Sequence, residues 1–216
     1  MITGIINMRY LSVCSGIEAA SVAFEPLEFE PVGFSEIADF QSAVLSHRYP
    51  DVTNFGNILD YDRWELQSNF EILIGGTPCQ SFSAIGKGGG LDDDRGKLAI
   101  IYTRILAKHR PKWFIWENVP GVLANNSGRD FEEITQEISK LGYSFSYRIL
   151  DARFFGLPQQ RRRVFIIGHS SGDWRYPAAV LFDSKSMCRD TKAFEKEKQN
   201  NPRRPVSSIA GNIRTT

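Results

Sequence analysis

Cysteine is scarce and unpaired in this sequence. Cys14, Cys79 and Cys188 are the only three, scattered, with no C-x-x-C spacing. An odd, scattered set argues against a disulfide framework and a structural zinc site, so no metal is expected, and it suits a reducing cytoplasm. An excess of one charge is also absent: 26 Lys and Arg stand against 25 Asp and Glu, for a net charge of +1. A protein that coats nucleic acid through charge alone would be more basic. No apolar run approaches the ~20 residues of a membrane span, so no membrane association is expected. The opening "MITGIINMRYLSV" lacks the basic segment, apolar core and cleavage site of a signal peptide. The dinucleotide signature G-x-G-x-x-G is missing, as is any internal repeat.

What the sequence does have is alternation. Arg9 to Cys14, Val32 to Ser35, Glu71 to Ile74 and Trp113 to Trp116 read as short apolar strands. Between them, Glu18 to Phe24, Asp39 to His47 and Gly96 to His109 carry helical spacing and stop before prolines. Asp130 to Leu141 puts Phe131, Ile134, Ile138 and Leu141 on one stripe, and Gly142 ends it. Ser144 to Leu150 and Arg163 to Ile167 are two strands with no helix between them. The pattern predicts a doubly wound α/β sheet, mostly parallel, with an antiparallel edge. After Gly168 the sequence turns polar and loses its period.

Two places gather chemistry. The first is "LSVCSGIEAA", a strand, a tight turn and a helix start. Gly16 lets a ligand approach the backbone, and the helix start offers free amides. Glu36 closes the next strand, where such folds set an acid on ribose hydroxyls. The pair points to an adenosine ligand; a turn glycine and a capping acid would look the same. The second place is Pro78-Cys79, just past the strand that Gly75-Gly76 ends. Open α/β sheets do their chemistry beyond the carboxyl ends of strands. Gly86, Gly88, Gly89 and Gly90 follow, which suits a mobile lid. Taken alone, Cys79 would read as a buried structural thiol. Basic clusters at Arg161–Arg163 and Arg203-Arg204 are, singly, solvated faces.

Three stretches taken together are more specific. Pro78-Cys79-Gln80, Glu117-Asn118-Val119 and "GLPQQRRRVFIIG", in this order and spacing, resemble the DNA cytosine-5 methyltransferases, including their phage types. The resemblance runs from about Arg9 to Gly168. It implies a Rossmann-like fold dependent on S-adenosyl-L-methionine, a double-stranded DNA substrate, and methyl transfer to carbon 5 of a flipped-out cytosine. It implies Cys79 as the nucleophile that adds to carbon 6. It implies Glu117 as the acid at ring nitrogen 3, which must carry a proton or share one with the base, and Arg161 and Arg163 beside the base. Asn118 matches the residue that steadies the Pro78 turn. The residues implied for the cofactor are Ser15, Gly16, Ile17, Glu18, Glu36, Ile37, Asn57, Ile58, Pro78 and Leu98, with Glu36 making two hydrogen bonds to the ribose. Those implied for DNA are Gln80, Ser83 and Lys87. The biological settings it implies are restriction-modification or phage self-protection.

The sequence also departs from that pattern. Ser12 stands where aspartate is usual, Cys14 where phenylalanine is usual, Glu18 and Ala19 where glycines are usual, and Asn57 where aspartate is usual. The family carries a target-recognition region and a returning segment after the arginine motif, and little chain follows Gly168 here. The expectation is a catalytic domain over 1–168, and over 169–216 a linker or the start of a truncated recognition region. Such a short chain is expected to have little activity alone. Two readings compete: a cofactor- or DNA-binding module without turnover, and a thiol hydrolase using Cys79 with His47, His109 or His169 as base.

Overall fold

The computed structural model describes residues 7–78 and 97–182. Of these, all through Leu181 belong to one compact unit; a second unit, Phe182–Thr216, lies almost wholly outside the described residues. Six strands form one sheet: β1 Arg9–Val13, β2 Glu30–Ser35, β3 Ile72–Gly75, β4 Trp113–Asn118, β5 Ser144–Asp151 and β6 Arg162–His169. Their spatial order is β2-β1-β3-β4-β6-β5. The first four are mutually parallel. β6 runs antiparallel to both its neighbours. The expected antiparallel pair is therefore present at one edge, with β6 inserted between β4 and the outermost β5.

Helices α1 Ala19–Phe24, α2 Asp39–Arg48, α3 Lys97–His109 and α4 Arg129–Lys140 connect the strands. Two apolar clusters form the core. The smaller joins Tyr10, Phe34, Leu45 and Ile72, with Phe24 packed on it. The larger joins Leu11, Leu73, Phe114, Trp116 and Val164 to Ile101, Tyr102, Ile105 and Leu106 of α3 and Ile134 and Ile138 of α4. Strands whose two faces feed two clusters must be apolar throughout, which is why Ile72-Leu73-Ile74 reads as an unbroken run. The α4 stripe behaves as its spacing predicts: Ile134 and Ile138 are buried, and Phe131 and Leu141 pack against the same cluster.

One helix was not legible in the sequence. α5, Arg175–Leu181, packs on β5 and β6 and buries Pro177 and Leu181. Asp173 starts it by accepting from the Arg175 amide at 3.0 Å. Pro177 falls in the first turn, where its missing donor costs nothing.

Candidate active site

The carboxyl ends of β1 and β2 build the first half of the site. Between β1 and α1 the backbone is left-handed at every second residue: Cys14 (φ 52°), Gly16 (φ 58°) and Glu18 (φ 67°). A side chain at position 16 would meet nothing within 4 Å, so the turn faces open space. The Gly16 amide donates to Glu36 Oε2 at 2.8 Å, joining the ends of β1 and β2. Glu36 Oε1 also accepts from Ile37 and Ala38 at 2.9 and 2.8 Å. A carboxylate offers about four acceptor positions. Three backbone amides fill three of them, which leaves acceptor room for a ligand hydroxyl. Ile37 and Ile17, beside this bonded pair, are 70% and 53% exposed. An open turn, a carboxylate with acceptor room and two exposed apolar side chains fit the ribose and adenine of S-adenosylmethionine.

The other residues implied for the cofactor are distributed differently. Ser15 is tied inward, its hydroxyl donating to Ser12 O and accepting from the Ser35 amide. Glu18 is buried at 1% exposure. Its oxygens accept from the Ser12 hydroxyl at 2.8 Å and the Ser21 amide at 3.1 Å, and burial pushes its carboxyl pKa up. Cys14 is also shielded, and burial, with Glu36 nearby, pushes its thiol up to about 12. Asn57 is exposed and caps a short turn through Leu59 N–H, whereas Ile58 is buried in the core. Leu98, near the start of α3, packs against the large cluster. Asn54 was missed in the sequence. Its amide holds the Glu36 backbone from both sides, accepting from Glu36 N–H at 3.0 Å and donating to Glu36 O at 3.0 Å.

The ends of β3, β4 and β6 build the second half. Glu117 Oε1 takes Arg163 Nε at 2.8 Å, and Arg161 Nη2 lies 3.9 Å from the same oxygen. Arg161 and Arg163, two residues apart, both face Glu117. Gly76 makes this possible, because a Cβ there would sit 2.7 Å from Glu117 Oε2. Asn118, fully buried, donates to the Thr77 carbonyl at 3.2 Å and accepts from Val119 N–H at 2.9 Å. It thereby fixes the residue before Pro78, which is exposed. A second tie was not foreseen: Trp116 Nε1 donates to Thr77 Oγ1 at 3.0 Å. Tyr102 adds a third, donating to Leu73 O and Ile115 O, both at 3.0 Å, and so bridging β3 and β4.

Cys79, Gln80, Ser83 and Lys87 lie outside the described residues. The histidines are described. His169 pairs with Trp113, the first residue of β4, and so sits at the other end of that strand from Glu117. His109 ends α3 against Phe70, just before the start of β3, and His47 is exposed near the end of α2. Neither His169 nor His109 therefore lies at the strand ends that carry Glu117 and Thr77.

A sheet of this order, with a glycine turn after its first strand and an acid after its second, has the architecture of the Rossmann-like methyltransferases. The methyltransferase EhMeth of Entamoeba histolytica superposes with a TM-score of 0.61 at 20% identity, over 76% of this chain and 53% of that one. The family model for C-5 cytosine-specific DNA methylase matches residues 8–214, and the chain belongs to that family. Among curated relatives, the DNA N-6-adenine-methyltransferase of Escherichia phage P1 is 36% identical over 89% of this chain and 32% of its own length. The orphan methyltransferase M.Rho11sI of Bacillus phage rho11s is 36% identical over 75% of this chain and 33% of its own. The chain thus spans about a third of the length of these relatives. No helix among the described residues is long and apolar enough to cross a membrane.

Proposed function

We propose that this chain is the catalytic part of an enzyme that methylates carbon 5 of cytosine in double-stranded DNA, with Cys79 as nucleophile and S-adenosylmethionine as methyl donor. The observation that carries the reading is the cluster at the carboxyl end of β4, beside the end of β3. Glu117, Arg163 and Arg161 converge there, and Asn118 and Trp116 tie the turn that leads into Pro78-Cys79 to the same strand. Carbon 5 of cytosine is a poor nucleophile. Addition of the Cys79 thiolate to carbon 6 makes the ring an enamine, and carbon 5 can then attack an electrophile. Negative charge grows at ring nitrogen 3, where Glu117 shares a proton, while an arginine steadies the ring carbonyl. The cofactor supplies an electrophilic methyl group. After carbon 5 is methylated, loss of its proton to a base expels the thiolate and restores the ring.

Glu36, the Gly16 turn, Ile17, Ile37, Asn57 and Leu98 are the residues that would hold the cofactor. The target atom lies inside the base stack, so the cytosine has to leave the duplex. Gln80, Ser83 and Lys87 are positioned in the sequence to meet the opened DNA. A second reading has support from the phage P1 relative, whose name is that of an adenine N6 enzyme. An exocyclic amine can attack a methyl donor directly and needs no thiol, so Cys79 would be dispensable.

Duplex DNA containing 5-fluorocytosine separates the two. Mixed with S-adenosylmethionine and the chain, it should trap a covalent adduct detectable by mass spectrometry, and Cys79→Ser should abolish it. Methylation by Cys79→Ser that persists, with N6-methyladenine as the product nucleoside, would overturn the cytosine reading.

A further inference from the structure

Glu18 is buried, carries a charge-bearing group and has no place among the reacting atoms. We propose that it is the positioning residue of the cofactor turn, through a buried latch that joins the end of β1 to the start of α1. The inference rests on the methyltransferase reading and concerns how that site is held in shape.

Three observations carry it. First, the turn is strained. Cys14 and Glu18 adopt left-handed backbone angles that side-chain-bearing residues avoid, on either side of Gly16, where glycine suits the angle. Such conformations persist only where the surroundings over-determine them. Second, Glu18 supplies that determination. One carboxylate oxygen holds the Ser12 hydroxyl on β1 and the other holds the Ser21 amide in α1. Ser12 and Ser21 are themselves buried at 3% and 4% exposure, and the Ser21 hydroxyl pairs with that of Tyr10 on β1. Third, the residue at the centre of the latched turn is Gly16, whose amide holds Glu36. The latch therefore reaches the ribose-binding carboxylate through one amide, without Glu18 touching the ligand.

Calorimetric titration of the whole chain with S-adenosylhomocysteine tests the latch. Glu18→Gly removes the carboxylate but suits φ 67°, so the backbone angle is kept. It should weaken binding about tenfold or more, because a turn that holds its binding shape only about a tenth of the time binds about tenfold less tightly. Glu18→Gln keeps an acceptor for Ser21 and a polar partner for Ser12, and should bind nearly as the parent does. The exchanged pair Ser12→Asp with Glu18→Gly should regain affinity over Glu18→Gly alone. Ile138→Val loosens the core in α4 and should lower the melting temperature without changing affinity. Parent-like affinity in Glu18→Gly would overturn the latch. So would affinity losses that merely follow melting temperature across all variants. Failure of the parent chain to bind S-adenosylhomocysteine would overturn the methyltransferase reading, and the latch with it.

Discussion

Replacing Thr77 by valine should unfold part of what aims the Pro78-Cys79 turn. Thr77 is buried at 3% exposure, and Trp116 and Asn118 at 1% each. Valine restores the volume of threonine, so no cavity forms and the effect comes from the hydroxyl alone. Its loss leaves the Trp116 indole N–H, now 3.0 Å from Thr77 Oγ1, without an acceptor. Asn118 keeps its 3.2 Å bond to the Thr77 carbonyl and loses only a 3.4 Å contact to the hydroxyl. The cost is then that of one orphaned buried donor, about 1–3 kcal/mol. For a chain of 216 residues each kcal/mol lowers the melting temperature by about 2–4 °C, so a fall of about 2–12 °C is expected. Thr77→Ser should recover most of it. A double-mutant cycle with Trp116→Phe, followed by urea unfolding, isolates the pair and should give a coupling of about 0.5–3 kcal/mol. Thr77→Val within about 0.5 kcal/mol of the parent, the usual range of a surface substitution, would refute the tie.

Three further outcomes follow from the same geometry. Glu36→Ala removes the acceptor left for a ribose hydroxyl and releases the Gly16 amide; it should weaken S-adenosylhomocysteine binding by roughly 10-fold to 150-fold in calorimetry. Gly168→Ala would drive a methyl to 1.9 Å from the ring of Phe114, which is fully buried against Tyr102 and Tyr143, so the cost should reach or pass the usual overpacking range of about 1–3 kcal/mol in urea unfolding. Burial, reinforced by Lys112, holds the His169 pKa below 6.5, so the folded state binds fewer protons than the unfolded one. The stabilisation that comes from keeping His169 neutral is fully present above pH 6.5 and is lost as pH falls from there through the folded pKa. Urea midpoints measured between about pH 5 and pH 8 should depend less on pH in His169→Gln than in the parent.

The sequence by itself determined the strands and the long helices. Apolar runs bounded by Gly75-Gly76 or by prolines can be read locally, because strand and helix periods repeat within a few residues. The alternation of Arg161 and Arg163 was legible for the same reason, and so was the acid that closes the second strand. Tertiary structure alone decided which groups meet. β6 enters between β4 and β5, and that insertion brings Arg163 to Glu117. Trp116 reaches Thr77 across 39 residues of sequence, a contact no local pattern encodes. Helix α5 escaped notice because seven residues starting beside a proline carry too little period, and it is held by packing on β5 and β6. Glu18 was expected at the cofactor because it stands in the turn with Gly16 and Ile17. Only the fold showed its carboxylate turned inward to Ser12 and Ser21, since burial depends on what packs around a residue and not on what precedes it in the chain.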